Sequence, residues 1–173
     1  MIQKKVCMLG TFAVGKTSLV SRFVHSMFSE RYQTSIGVKI DKKALQLGEE
    51  QVELILWDIH GDDEFQRIRQ SYVKGASGCL FVVDGTRRST WDEALNLSRS
   101  VRSWVGDLPC LLLLNKADLM DAWELDEDSA KPVPGFGRTV RTSAKTGEGV
   151  EEAFMILASM MLPGAGSSST SGP

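Results

Sequence analysis

The sequence predicts a single α/β domain, in which helices cover both faces of a mostly parallel six-stranded sheet with one antiparallel strand. The first observation is that short apolar runs alternate with segments of helical periodicity along most of the 173 residues. The second is that GCLFVVD and CLLLL are continuously apolar, which is typical of strands covered on both faces. We therefore expect one domain over 1–163, followed by a flexible Gly/Ser-rich tail over 164–173.

Six segments have the length and composition of strands. They are residues 2–9, 37–47, 51–57, 78–84, 110–115 and 138–143. The second and third alternate between apolar and polar residues on either side of an LGEE turn, which is typical of a hairpin. The antiparallel strand is therefore expected in this pair.

Three longer segments have helical periodicity, at 16–27, 90–105 and 150–162. The middle one carries an apolar stripe, which we interpret as core packing. The stripe consists of Trp91, Leu95, Ser98, Val101, Trp104 and Val105. Between 119 and 137, Pro132 and Pro134 prevent a long helix, so one short helix and an irregular loop are expected there.

The bulk composition limits the function classes. A net charge of -2 gives no reason to expect nucleic-acid binding. Cys7, Cys79 and Cys110 all lie in apolar runs, which indicates buried reduced thiols and a cytoplasmic protein. The chain has neither a Met-Gly start nor a cysteine after Cys110, so we expect no encoded lipid anchor, and we expect a monomer.

Residues 10–17 read GTFAVGKT between a predicted strand and a predicted helix, and this is the pattern GxxxxGK[ST] of a phosphate-binding loop. Gly10 and Gly15 allow the backbone N–H groups to turn toward phosphate oxygens. Lys16 is expected to reach the β- and γ-phosphates, and Thr17 to offer its hydroxyl to Mg²⁺. The other residues of this segment that we include in the predicted nucleotide-binding site are Phe12, Ala13, Val14 and Ser18.

A second metal ligand is expected at the end of another strand. The run QVELILWD ends in Asp58, and Gly61 comes three residues later in the pattern DxxG. Asp58 would hold Mg²⁺ through a water molecule, and the Gly61 N–H would reach the γ-phosphate.

Two further motifs come directly after predicted strands and indicate the base. In NKAD, the carboxylate of Asp118 can accept two hydrogen bonds from a guanine, whereas adenine offers no such pair of donors. Asn115 would tie the loops together, and the stem of Lys116 would lie along the base. In SAK, the Ala144 N–H would contact the guanine O6, and its neighbours Ser143 and Lys145 are included in the predicted site.

With these motifs in order, residues 4–162 resemble a small GTPase of the Ras superfamily, and YQTSIGV at 32–38 is similar to the first switch of Rab proteins. The pairs Trp57-Asp58, Glu64-Phe65, Ser71-Tyr72 and Gly75-Ala76 resemble the second switch and the segment after it. The resemblance implies a P-loop NTPase G domain that hydrolyses GTP to GDP with Mg²⁺. It also implies effectors, an exchange factor and an activating protein that bind switch regions 32–40 and 59–72, and it places Phe28 against the guanine.

The chain departs from that pattern at catalytic positions. Ser35 aligns with the threonine that meets Mg²⁺ and the γ-phosphate, and Thr34 is an alternative only if the loop shifts by one residue. Asp62 replaces the glutamine that orients the attacking water, and Phe12 is bulky where the loop is usually small. The predicted catalytic set is Lys16, Ser35, Gly61 and Asp62. We expect slow intrinsic hydrolysis.

Several alternatives stay open at this point. His60 or Asp63 could substitute for the missing glutamine, and Arg31 could act as an arginine finger from within the chain. The whole protein could also be a hydrolysis-deficient scaffold that holds a nucleotide, a pseudoGTPase. An ATP-using P-loop kinase is a third possibility, against which the NKAD and SAK motifs argue.

Overall fold

The computed structural model describes residues 1–29, 37–60 and 70–164. The strands in this part of the chain are β1 (Ile2–Leu9), β2 (Val38–Leu47), β3 (Glu50–Ile59), β4 (Gly78–Asp84), β5 (Cys110–Asn115) and β6 (Arg138–Arg141). The helices are α1 (Lys16–His25), α2 (Gln70–Val73), α3 (Ser89–Val105) and α4 (Val150–Met160). Two 3₁₀ segments, Ala117–Ala122 and Glu127–Ala130, lie between β5 and β6.

The six strands form one sheet in the order β2-β3-β1-β4-β5-β6. All neighbours are parallel except β2 and β3, which pair as an antiparallel hairpin. The predicted α/β fold with one antiparallel strand is therefore confirmed. The chain builds the sheet on one side of β1 first and then continues on the other side with β4. Ligands of open α/β sheets bind beyond the carboxyl ends of the strands at such a reversal.

The core occupies both faces of the sheet, as the uninterrupted burial of β4 and β5 requires. On one face, Phe23 of α1 stacks on Phe154 of α4, with ring centroids 4.0 Å apart. On the other face, Val101 of α3 lies in a cluster where Phe81 meets Phe136 edge to face at 5.5 Å. The two layers fix β1 and β4, and with them the loops that come after these strands.

The stripe on α3 is part of this second cluster, as predicted. Ser98 and Val101 are buried, and Trp91, Leu95 and Trp104 pack against the cluster from its edge. The three cysteines all lie in the described residues, where they are buried and form no disulfide. No helix of the described ranges has the length and apolar character that a membrane span needs.

The prediction of one short helix between 119 and 137 was wrong, because two 3₁₀ turns lie in and just before this region. The second turn is capped by Asp126, whose carboxylate accepts hydrogen bonds from the Ser129 N–H at 3.1 Å and from the Ser129 hydroxyl at 3.0 Å. Such a local cap stabilises a single turn, and Pro132 prevents its extension. Two predicted helix ends were also too late, since α1 ends at His25 and α4 at Met160.

Candidate functional site

Three strands carry polar side chains at their carboxyl ends, along the same edge of the sheet. Asp58 is the next-to-last residue of β3, Asp84 ends β4 and Asn115 ends β5, and all three are at most 2% exposed. The loop after β1 lies beside them. Buried polar groups are stable only where hydrogen bonds or ions satisfy them, so this edge is built for polar chemistry.

The loop after β1 has the backbone shape that its glycines allow. Gly10 has φ +150°, and a Cβ atom there would lie 2.6 Å from the Val82 carbonyl oxygen. Gly15 has φ +104°, and a Cβ atom there would collide with the side-chain amide of Asn115. Both positions therefore exclude larger residues, and the loop packs closely on β4 and β5.

Lys16 begins α1 with its side chain folded back over this loop. The residue is 6% exposed, and its Nζ atom donates to the Gly10 carbonyl at 2.5 Å and to the Thr11 carbonyl at 3.1 Å. An ammonium held over a loop at the N-terminus of a helix creates a positive site suited to phosphate. Ser18 lies in the first turn of the same helix.

The candidate metal ligands Thr17 and Asp58 are in direct contact. The Thr17 hydroxyl donates to Asp58 Oδ2 at 2.7 Å, while Asp58 Oδ1 is buried without a hydrogen-bond partner among the described residues. Burial raises the pKa of Asp58, although the Thr17 hydrogen bond opposes the shift. A carboxylate oxygen and a hydroxyl side by side are donors that Mg²⁺ accepts, so these residues fit a hard divalent cation.

His60 lies against the same carboxylate. Its side chain is 8% exposed, and Nε2 is 3.5 Å from Asp58 Oδ2. The His60 backbone N–H donates to the Gly37 carbonyl at 2.9 Å, which extends the pairing of β2 with β3 by one more residue. Burial lowers the pKa of His60. The sequence alone indicated only that this histidine could approach the γ-phosphate, and its contact with Asp58 is a structural finding.

The NKAD segment is joined to the phosphate loop by two side chains. Asn115 Nδ2 donates to the Val14 carbonyl at 3.0 Å, and its Oδ1 accepts from the Thr142 hydroxyl at 3.1 Å. Lys116 adopts the left-handed conformation, with φ +69°, and its Nζ donates to the Ala13 carbonyl at 3.2 Å. The two loops therefore hold each other in position.

The NKAD and SAK segments also meet. The Ser143 hydroxyl donates to Asp118 Oδ1 at 2.7 Å, so the carboxylate and the SAK loop share one hydrogen bond. Arg22 of α1 fixes the SAK backbone from the other side, since it donates to the Ala144 carbonyl at 2.7 Å and to the Lys145 carbonyl at 2.5 Å. The phosphate loop, Asp58, NKAD and SAK thus surround one region of the sheet edge.

Two aromatic residues of the predicted site are partly exposed, Phe12 to 39% and Phe28 to 37%. Ser35, Gly61 and Asp62 fall outside the described residues. The alternatives Thr34, Asp63 and Arg31 fall outside them as well.

Sequence reasoning missed one ionic cluster. The Asp84 carboxylate lies 2.8 Å from Lys116 Nζ and 3.0 Å from Arg87 Nε, and Arg87 Nη2 donates to the Phe12 carbonyl at 2.7 Å. Burial would raise the pKa of Asp84, but hydrogen bonds from Lys116, Thr86 and Arg87 outweigh it and hold the pKa below its usual value. A signal was present, because Asp84 is a carboxylate at the end of a buried strand, as Asp58 is.

Comparison with known proteins shows which protein family this sequence matches. A model of the Ras family matches residues 5–162. The chain is similar to Ras-related protein Rab-7L1 of Rattus norvegicus, with 36% identity over 169 residues that cover 91% of this chain and 81% of that protein. It is similar to human Ras-related protein Rab-7b, with 33% identity over 177 residues, 93% of this chain and 83% of that protein. Ras-related protein Rab-32C of Dictyostelium discoideum is 32% identical over 173 residues, 93% of this chain and 74% of that protein.

Proposed function

We propose, from the premise that this chain belongs to the Ras family as a Rab-like small GTPase, that it is a guanine-nucleotide switch with slow intrinsic GTP hydrolysis. Membership of the family makes it a GTP-binding switch GTPase in general terms. The proposal concerns the finer points: the magnesium dependence, the slow rate and the surfaces that carry the signal.

The observation that carries the proposal is the set of contacts that joins the loops. Asn115 and Lys116 reach the carbonyls of Val14 and Ala13, and Ser143 reaches Asp118. A base bound at Asp118 and phosphates bound at the N-terminus of α1 would therefore belong to one ligand. An acceptor carboxylate at the base favours guanine over adenine, because adenine would leave it unpaired.

Mg²⁺ fits the proposed site beside the phosphates. Thr17 and Asp58 would hold the ion, directly or through water, and Ser35 is proposed as a further ligand from the first switch. When bound, Mg²⁺ offsets charge on the β- and γ-phosphates. Lys16 adds a second positive charge, since its Nζ lies over the loop within 3.1 Å of two carbonyls.

The slow rate is proposed from two substitutions relative to the family. The carboxylate of Asp62 cannot donate to the γ-phosphate and repels it, whereas a glutamine amide can both accept from water and donate to phosphate. Phe12 adds a benzyl group to the loop, and its backbone carbonyl is held by Arg87 at 2.7 Å. A partner's arginine that enters the site would have to pass this ring.

Partners are proposed at switch regions 32–40 and 59–72, where GTP-dependent loops of the family change shape. Effectors, an exchange factor and an activating protein are the general partners of such proteins. A cytoplasmic location is proposed because all three cysteines, each in the described part of the chain, are buried thiols without a disulfide.

The test begins with the nucleotide that copurifies with the protein, identified by chromatography after denaturation. We expect GDP or GTP in an amount close to that of the protein. Thermal shifts with GDP should exceed those with ADP. A preference for adenine nucleotides would contradict the proposal and favour a P-loop kinase.

Single-turnover hydrolysis of bound GTP separates the switch from its main alternative. The matched control is Lys16→Ala, which removes the ammonium over the loop. A wild-type rate above that of the control supports a slow GTPase. A rate equal to the control, with GTP still bound, would support the pseudoGTPase scaffold, which the departures at Phe12 and Asp62 favour.

A further inference from the structure

The side chain of His60 lies against Asp58, which forms the candidate metal site together with Thr17. It is 8% exposed, and its Nε2 atom is buried without a hydrogen-bond partner in the ranges that the structure describes. Asp58 Oδ2 lies 3.5 Å from this nitrogen, but the two atoms do not form a hydrogen bond. A buried imidazole nitrogen without a partner costs free energy, unless a ligand or ion satisfies it.

The adjoining residues Asp58 and Thr17 offer two more donors of electron pairs. Asp58 Oδ1 is also buried without a partner among residues 1–29, 37–60 and 70–164. The Thr17 hydroxyl is 2.7 Å from Asp58 Oδ2. Two ligands about 2.1 Å from one metal lie about 3.0–3.4 Å apart, and the 3.5 Å separation of His60 Nε2 and Asp58 Oδ2 is close to that range.

The backbone fixes the histidine in this place. The His60 N–H pairs with the Gly37 carbonyl at 2.9 Å, so the residue continues the ladder of β2 and β3. Asp58 is completely buried two residues earlier on the same strand, and residues two apart on a strand face the same side. Both side chains therefore reach the same side of the sheet edge.

We infer that His60 Nε2 is a ligand of the nucleotide-associated divalent cation, so that the site contains nitrogen and favours Mn²⁺ or Co²⁺ relative to Mg²⁺. Imidazole suits transition metals, whereas Mg²⁺ prefers oxygen ligands in a near-ideal octahedron. No group of three or more His, Cys, Asp or Glu in the described part of the chain could hold a metal by itself. The other ligands are Thr17, Asp58, water and the phosphates, so the inference rests on the proposed nucleotide site.

The chain has two histidines, and this allows a direct test. His25 is the last residue of α1, where its Nε2 lies 3.5 Å from Asp41 Oδ1, and it serves as the matched control. Protein labelled with ¹⁵N at histidine alone is loaded with unlabelled GDP and Mn²⁺, and electron–nuclear double resonance is recorded. We expect a directly bonded ¹⁵N coupling in the wild type and in His25→Ala, and none in His60→Ala.

A second measurement compares metal affinities of the GDP-loaded protein by titration. The ratio of Co²⁺ to Mg²⁺ affinity should fall about tenfold or more in His60→Ala, in line with the usual cost of losing a metal-site contact, and stay unchanged in His25→Ala. The inference would be overturned if the wild type showed no ¹⁵N coupling, or if the ratio of Co²⁺ to Mg²⁺ affinity stayed unchanged in His60→Ala. The proposed function would remain intact in that case, provided that the protein binds GDP in the presence of Mg²⁺. Failure to bind any guanine nucleotide would overturn both.

Discussion

Asp84 is a residue whose charge state matters to both the fold and the site. Its carboxylate is 1% exposed and lies between Lys116 at 2.8 Å and Arg87 at 3.0 Å. Because these cations donate hydrogen bonds to the ionised form, they hold the pKa of Asp84 below its usual value against the effect of burial. The stabilisation is therefore present above the unfolded pKa, about 3.9, and is lost as the pH falls through the lower folded pKa.

We predict that Asp84→Asn lowers the free energy of unfolding by about 1.5–3 kcal/mol at pH 7, the usual contribution of a hydrogen bond to a charged group. The difference between wild type and variant should narrow below about pH 4, because the carboxyl is then protonated in the unfolded chain while it is still ionised in the folded protein. Urea denaturation between pH 3 and pH 7 measures both quantities. A difference that stays constant over this range would mean that Asp84 carries no linked charge.

Asp118 is a second single residue with a specific expected effect, because its carboxylate is proposed to select guanine over adenine. Asp118→Ala should weaken GDP binding by about tenfold to a hundredfold, the range for losing charge-assisted hydrogen bonds. Asp121→Ala is the matched control, since Asp121 is an exposed carboxylate in the same 3₁₀ segment. Calorimetric titration of the nucleotide-free protein measures the change. Equal effects of the two substitutions would contradict a role in base recognition.

At the scale of elements, the link between the two 3₁₀ segments is held against the turn between β4 and α3. Trp123 Nε1 donates to the Lys116 carbonyl at 3.0 Å, and a Cβ atom on Gly85 would collide with the indole ring. The Glu124 N–H donates to the Gly85 carbonyl at 2.9 Å, and Glu124 Oε2 accepts from the Arg88 N–H at 2.8 Å. The carbonyl of Lys116, which has a left-handed conformation, is therefore held by an indole seven residues later in the chain.

We predict that Trp123→Ala and Gly85→Ala both speed GDP release, by about threefold to tenfold, because each loosens Lys116 at a modest cost in free energy. Release of a fluorescent GDP analogue into excess GDP measures the rate. Met120→Ala is the control, since Met120 is an exposed side chain in the 3₁₀ segment that ends just before Trp123. An unchanged rate in both variants would show that the indole contacts are only structural.

Elements differ in how well their sequences specify them. The buried strands β4 and β5 were predicted at the residues where they lie, because a continuous apolar run between turn residues has few other solutions. The 3₁₀ turns were not, since a single turn depends on a local cap such as that of Asp126 rather than on periodicity. The contact of Arg87 with the Phe12 carbonyl joins residues 75 apart, and no local pattern predicts such a pair.

At the scale of the whole molecule, the sheet brings together motifs that are far apart in sequence. The order of motifs predicted which loops meet, because parallel strands place their carboxyl ends at one edge. The position of His60 against Asp58 was not predicted, because the predicted strand ended at Trp57, whereas pairing with β2 and Gly37 continues the extended backbone to His60. The sequence motifs therefore predicted which loops form the candidate site. The packing of side chains in the folded protein determined that His60 also lies there.

The lifetime of the GTP-bound state also belongs to the scale of the whole molecule. This lifetime determines which fraction of the protein molecules can bind effectors. If Asp62 is the main cause of slow hydrolysis, Asp62→Gln should raise the single-turnover rate by about a hundredfold, the lower end of the range for a side chain positioned for proton transfer. If Phe12 is the main cause, Phe12→Gly should do so instead. The double variant tests whether the two effects add.

The measurement is phosphate release from bound GTP at saturating Mg²⁺, with nucleotide retention checked in each variant. The control is Phe28→Leu, which changes an exposed ring that is proposed to contact the base and not the phosphates. Phe81→Leu is unsuitable as a control because it would disturb the core. Phe28→Leu should alter the affinity for GTP more than the rate of hydrolysis. If neither Asp62→Gln nor Phe12→Gly, nor their combination, exceeds the rate of Lys16→Ala, the switch would depend on nucleotide exchange alone, and the pseudoGTPase would replace the slow GTPase as the proposed function.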